Sequence, residues 1–327
     1  MKVGKVSESV LKRSVLKEIK TQRPEVILGA GVGEDCAAVA VAEDEVLVLS
    51  TDPITGASQE IGLYAIHITA NDLASAGAEP VGVMLTLLLP EETEEAQLKQ
   101  LMRQMQENCK MLNMQIIGGH TEVTKVVNQP VVSVTGVGKA KKNALVSTAG
   151  AMAGDDIVVT KWIGLEGTGI IATEKEQLLL ERFSKDFIKK AQSFKEYLSV
   201  VPEGMLAVKH GVNAMHDITE GGVFGALWEM AEASGVGLEI DLLKIPVKQE
   251  TIEVCEFFGI NPYELISSGS LLIATKDGNG LVQALEKEGI TATVIGKATS
   301  GNDRVLWNQD ERRFLEPPKT DELYKVI

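Results

Sequence analysis

A chain of 327 residues, 44% hydrophobic and 24% charged, has room for two domains of ordinary size and the composition of a soluble globular protein. Its net charge of −14 repels phosphate backbones and anionic membrane surfaces, which argues against non-specific nucleic-acid binding. Three scattered cysteines, Cys36, Cys109 and Cys255, form neither a disulfide framework nor a CxxC zinc knuckle.

The first twenty residues are charged throughout and lack an apolar signal core. The longest apolar run, "VGVMLTLLLP" at 81–90, is too short to cross a bilayer, so the expected location is the cytoplasm, with no membrane contact. Residues 7–20 predict an amphipathic helix with Val10, Leu11, Val15 and Ile19 near one face. "AAVAVAEDEVLVLSTD" predicts two strands joined by the acidic turn 43–45, and "LYAIHITANDLASAGA" a helix ending at Gly77. A buried strand at "VGVMLTLLL" precedes a helix over 91–111. Leu98, Leu101, Met102, Met105, Cys109 and Leu112 form its apolar stripe, which makes Cys109 a buried thiol. "MQII" and "PVVSVTGVG" supply further strands.

The small, polar stretch over 140–155 marks the expected boundary between a domain over 1–150 and one over 151–327. Beyond it the pattern predicts a strand at 156–160, a glycine-rich turn, and helices over 174–197, 204–210 and 222–234. A strand at 236–241, a helix at 248–258, a strand at 270–275, a helix at 278–288 and a strand at 291–296 follow. The tail "EPPKTDELYKVI" reads as a closing strap. Helices and strands mix without a strict βαβ rhythm, which favours an α+β fold over a doubly wound sheet.

"ILGAGVGEDCAAV" at 27–39 carries three alternating glycines, the spacing that first suggests a nicotinamide dinucleotide. The Rossmann fingerprint needs a third glycine or alanine where this chain has Glu34 or Cys36, and a helix where the sequence is strand-like. No P-loop motif occurs either. Acids beside glycine suit phosphates that arrive with Mg²⁺, which takes a few carboxylates plus phosphate oxygens. Asp35, Asp52, Asn71-Asp72 and Glu122 recur at such strand-to-loop positions, although each singly is also an ordinary turn acid or helix cap.

Together "GEDCAAV", "STDPITG", "IHITANDLASAGAEPVGV", "IIGGHTEVT", "VVSVTGVGKA", "GDDIVVTKWIGLEGTGIIA" and "HGVNAMHDITEGGVFGALWEMAEASGVGLEID" resemble the AIR synthase-related (PurM-like) superfamily, in order and over nearly the whole chain. Its members use ATP to activate an oxygen or to transfer a phosphoryl group. The resemblance implies a two-domain α+β fold whose N-terminal domain pairs with its twin in a shared β-barrel, making a homodimer. It implies ATP bridged by Mg²⁺ to Asp35, Asp52 and Asp72, with Asn71 beside them. Gly118, Gly119 and Thr121 would allow close approach of the nucleotide; glycine has no Cβ in the way. Gly167 and Thr168 are implied in the second domain, with Lys161 near phosphate or simply on the surface. "MHDITEGG" reads as a helix start capped by Asp217 or Thr219, whose free N–H groups, with those of Gly221 and Gly222, suit an anion. His120 and Glu122 are the remaining catalytic candidates, His120 being equally well a structural histidine. His210 and His216 are six apart, which is not a helical metal pair.

Within the superfamily the second half is most similar to HypE, the hydrogenase-maturation dehydratase, which implies a protein partner of that kind. The chain departs from that pattern where it ends "DELYKVI" without a cysteine, at Glu122, which replaces a lysine, and at Ser268, which replaces a glutamate. Cys36, beside acids that disfavour a thiolate, reads as a small buried thiol. The resemblance therefore implies ATP- and Mg²⁺-dependent chemistry on an oxygen of a small-molecule substrate, or an ATP-binding paralogue that has become a partner subunit.

Overall fold

The computed structural model describes residues 8, 26–28, 31–34, 36–41, 43–54, 60–317 and 319–327. Apart from Glu8, the helix expected over 7–20 lies outside them, as does Asp35. The chain divides into two compact units, one built on residues 36–145 with 26–28, the other on 146–327 with 31–34 and Glu8. The two units match the two-domain α+β architecture that the resemblance implies.

The N-terminal unit is a six-stranded sheet in the order β1-β2-β3-β6-β4-β5, with one layer of helix on it. Its strands are β1 (Val26–Leu28), β2 (Ala37–Ala40), β3 (Glu45–Ile54), β4 (Glu79–Leu89), β5 (Gln115–Val123) and β6 (Val131–Lys141). Only β4 and β5 pair in parallel, and the helix α2 (Glu95–Met111) makes the crossover that a parallel pair requires. α2 begins at Glu95 rather than at Glu91. Glu94 and Gln97 form a reciprocal capping box there, with the Glu94 N–H donating to Gln97 Oε1 at 2.8 Å. Leu101, Met105 and Cys109 face inward as the stripe predicts, and burial pushes the Cys109 thiol up to about 11.

Helix α1 (Ile61–Ser75) lies between this sheet and α2, buried along almost its whole length. It packs on the face that bears Val46, Val48, Val83, Leu85, Leu87, Val132 and Val134, all buried. Among the described residues no helix covers the opposite face of the sheet: Leu47, Leu49 and Val137 are half-buried, and Val81 and Met84 are 43% and 48% exposed.

The C-terminal unit has a seven-stranded sheet in the order β13-β12-β9-β11-β7-β10-β8. The strands are β7 (Asp156–Thr160), β8 (Ala214–Ile218), β9 (Gly237–Asp241), β10 (Ser270–Thr275), β11 (Ala292–Thr299), β12 (Arg304–Asn308) and β13 (Glu311–Phe314). Strands β7 and β10 are covered on both sides, so their side chains alternate between two cores. Ile157, Val159, Leu272 and Ala274 pack with helix α7 (Gly222–Ser234). Val158, Leu271 and Ile273 pack with Ala207 of α6 (Val201–His210) and Leu281 and Leu285 of α9 (Gly278–Lys287).

Two segments differ from expectation. The glycine-rich stretch after β7 turns into a helix as early as α3 (Leu165–Glu174), starting from a left-handed Gly164. The helix expected over 174–197 is split into α4 (Glu176–Leu179), α5 (Lys185–Gln192) and a 3₁₀ turn. Strand β8 has no sequence signature, because the buried polar residues His216 and Asp217 break the apolar run that marks an interior strand.

Candidate functional site

In the N-terminal unit the alternation of β3 places Val46, Val48, Ser50 and Asp52 on one face, towards α1. The Ser50 hydroxyl donates to Asp72 Oδ2, tying the strand to the helix at the point where both carry acids. Asp72 is 4% exposed and Asn71 is fully buried beside it. The Asp72 carbonyl accepts from Cys36 Sγ at 3.0 Å and from Ser75 Oγ at 2.8 Å, so the chain leaving the acidic glycine stretch is anchored on the helix turn that bears Asp72. Two residues along β3 from Ser50, on the same face, stands half-buried Asp52. A carboxylate pair at a strand end, backed by a hydroxyl and an amide, is an oxygen-rich arrangement of the kind a hard cation takes. No three His, Cys, Asp or Glu side chains among the described residues converge on one metal position, and Asp35, the third expected carboxylate, lies outside those residues.

The other expected residues of this unit lie elsewhere. Asp52 pairs with Val134, Val134 with Leu85 and Leu85 with Gly119, so Asp52 and Gly119 share a row across the sheet. Three strand spacings separate them, about 14 Å. Gly119 has φ 149°, and a Cβ there would lie 2.1 Å from the Leu85 carbonyl oxygen. What approaches Gly119 closely is therefore the neighbouring strand, whereas Gly118 is open, with Met84 Cε 4.0 Å from where its Cβ would be. His120 pairs with exposed Thr86 and so stands on the uncovered face, opposite to Asp52 and Asp72. Its Nε2 lies 3.4 Å from Glu122 Oε2, both side chains are more than half exposed, and Thr121 between them is exposed too. A single copy of the unit does not bring His120 and Glu122 to the aspartates.

In the C-terminal unit Lys161 is neither on the surface nor free to meet a phosphate. It sits at φ 53° after β7, 8% exposed, and its Nζ donates to Glu203 Oε1 at 2.6 Å, Tyr197 O at 2.8 Å and Ser199 O at 2.5 Å. Burial lowers its pKa, against the opposing pull of Glu203. Its three donors are used in tying β7 to the segment that enters α6. Gly167 and Thr168 likewise serve packing: Leu265 fills the space beside Gly167, and Thr168 Oγ1 donates to Thr251 Oγ1 at 3.0 Å.

The "TEGG" turn is arranged differently from the expected cap. Asp217 is 1% exposed within β8, and neither it nor Thr219 caps α7 through its side chain. The N-cap is Gly221 in the left-handed region, and Gly222 at φ 62° lies so close to the Tyr263 carbonyl that a Cβ would be 2.5 Å from it. The Gly221 N–H donates to Asp321 Oδ2 at 2.6 Å. An anion does sit at this helix start, as the free N–H groups require, but it comes from the chain's own strap, a hundred residues away in sequence.

Sequence reasoning also missed the groups around that contact. Glu166, in the first turn of α3, is 3% exposed, and its Oε2 accepts from the Ser268 N–H at 3.1 Å. Burial, reinforced by Asp321 and Glu220, pushes its carboxyl up to about 7. Asp321 is pushed up to about 6 by burial, against hydrogen bonds from the backbone of Leu323, Gly221 and Ile266. In the same unit Gly33 packs against the Glu229 backbone, Ser147 Oγ donates to Glu34 Oε1 at 2.7 Å, and Glu229 Oε2 lies 3.0 Å from His216 Nε2.

Family models match both halves of the chain: AIR synthase related protein, N-terminal domain, over residues 33–140, and its C-terminal domain over 152–308. A Methanocaldococcus jannaschii protein named for hydrogenase expression/formation is 29% identical over 99% of this chain and 97% of its own. The carbamoyl dehydratase HypE of Escherichia coli is 30% identical over 88% of this chain and 86% of its own. A crystal structure of the hydrogenase maturation protein HypE in complex with ATP superposes with a TM-score of 0.74 at 20% identity, covering 99% of this chain and 98% of that one.

Proposed function

The chain belongs to the AIR synthase related family, and on that premise we propose that it is an ATP- and Mg²⁺-dependent enzyme that activates or phosphorylates an oxygen of a small-molecule substrate. The observation that carries this reading is the Asp52–Ser50–Asp72 arrangement, where a strand end and a buried helix turn present carboxylates on one face with Asn71 beside them. Asp52, Asp72 and Asp35 would hold Mg²⁺, and the metal would spread the charge of the nucleotide's phosphates. For the Thr219–Gly222 turn to meet an anionic group, the Gly221 N–H would have to exchange its bond to Asp321 for one to that group. The exposed apolar side chains Val81 and Met84 on the other face of the N-terminal sheet support pairing with a second copy, which is the homodimer proposed. The relative named for hydrogenase expression/formation supports a protein partner in that process.

Retention of catalysis is tested by ADP release from Mg-ATP against a panel of small amides, carboxylic acids and phosphates. Substrate-dependent turnover is the expected result. Glu122 and Ser268, where the sequence departs from the pattern that the resemblance to HypE implies, favour a second reading in which the chain binds ATP as a partner subunit. Tight Mg-ATP binding with no turnover on any acceptor would select it.

A further inference from the structure

Four of the chain's seven phenylalanines meet at one place on the C-terminal unit. Phe183 stacks on Phe187 with 4.5 Å between ring centroids and the planes 14° apart. Phe183 also meets Phe257 edge-on at 5.8 Å, and Phe257 meets Phe258 at 4.9 Å. These rings join the start of α5 to the end of α8 (Gln249–Phe258), and Lys190 of α5 pairs with Glu250 of α8 further along. All four rings are half-buried, so they close on one another without leaving the surface. At the start of α8, Lys248 Nζ lies 3.5 Å from the centroid of the Trp162 ring, with Tyr197 at 5.4 Å.

The charges along α5 run against those of the chain as a whole. Net charge is −14, yet residues 182–195 carry five cations, Arg182, Lys185, Lys189, Lys190 and Lys195, and a single acid, Asp186. Lys185 and Lys189 stand four apart on α5 and so project from one side of it. Both are exposed, and among the described residues neither forms an ion pair. Arg182 lies over the Phe183 ring, 5.6 Å from its centroid. Glu253 and Glu256 stand on α8, the other side of the seam. Half-buried rings edged by cations have the make-up of an interface core and its charged rim. We propose that the seam between α5 and α8 docks an amphipathic helix of a partner protein, whose apolar side chains cover Phe183, Phe187 and Phe257 and whose acids meet Arg182, Lys185 and Lys189. The proposal rests on the reading that the chain works with a protein partner. A basic helix is attracted to an acidic chain at many places, whereas an acidic one is repelled except where cations gather. The α5 side of the seam is such a place.

Fluorescence anisotropy on the full chain tests this with two labelled peptides, one of leucine and glutamate and one of leucine and lysine, both with leucines at helical spacing. Non-specific attraction to a chain of charge −14 favours the lysine peptide. The expected result is the reverse, with the glutamate peptide bound about tenfold more tightly. Lys185→Glu combined with Lys189→Glu, both exposed and outside the core, should abolish that preference and leave Mg-ATP affinity unchanged. Phe187→Ala should weaken binding of the glutamate peptide about tenfold. Preference for the lysine peptide in the parent chain, or glutamate-peptide binding indifferent to the charge reversal, would overturn the docking face. So would an oligomer of the parent chain that the same reversal takes apart, which would give the seam to a second copy. Single-stranded RNA or an anionic vesicle bound through these lysines, with the glutamate peptide left unbound, would overturn it too. A natural partner that cross-links only to another face would overturn the seam yet leave the partner reading standing.

Discussion

Asp72 combines features that a solvated turn acid lacks: it is buried in a helix interior, and a serine from the facing strand donates to its carboxylate. Burying a carboxylate is costly, and a cation bound beside Asp72 would offset that cost. Asp72→Ala and Asp52→Ala are each expected to weaken Mg-ATP binding at least tenfold by calorimetry, with a smaller loss for Ser50→Ala. Undiminished affinity in both aspartate variants would remove the site. Lys161 leads to the opposite expectation. Lys161→Met leaves Glu203 buried without its partner, a loss of about 3–5 kcal/mol of stability in urea denaturation. Lys161→Met combined with Glu203→Leu should recover most of it, and neither should change Mg-ATP affinity.

At the scale of elements, close backbone approach decides more than chain flexibility. Gly118→Ala is expected to change stability by less than about 0.5 kcal/mol, whereas Gly119→Ala drives a methyl group into β4 and should cost about 1–3 kcal/mol. The same thermal melts show which of the two adjacent glycines the sheet depends on. In the C-terminal unit, Glu166 and Asp321 make the docked strap acid-stabilised. The native state binds more protons than the unfolded chain between about pH 4 and 7, so stability should fall as pH rises through that window. Glu166→Gln should flatten much of the slope in melting temperature against pH; an unchanged slope would assign it to other groups. Local pattern suffices for α7, whose ends match its predicted span, and for the stripe and C-terminal end of α2, yet it does not reveal β8, where polar His216 and Asp217 are buried and His216 pairs with the distant Glu229.

For the whole molecule, the uncovered face of the N-terminal sheet presents Val81 and Met84, with Ile117 and Val123 exposed on the neighbouring edge strand. Apolar side chains spread over a sheet face mark an interaction surface. Met84→Lys is expected to convert a dimer to a monomer in light scattering, and a parent chain that is already monomeric would refute the pairing. His120 and Glu122, which one copy holds on the opposite face from the aspartates, make that oligomeric state a question about the site as well.

Helix periodicity, strand alternation and the acid-beside-glycine pattern are local properties, so the sequence alone determined most elements, the family resemblance and the acids of the nucleotide reading. Which polar groups meet across distance is a matter of tertiary packing. Only the folded structure decided that Lys161 is spent on Glu203, that Leu85 fills the approach to Gly119, and that Asp321 supplies the anion at the start of α7. The reason is physical: a buried donor or charge must find a partner wherever the chain brings one, and nothing in the neighbouring residues records where that will be.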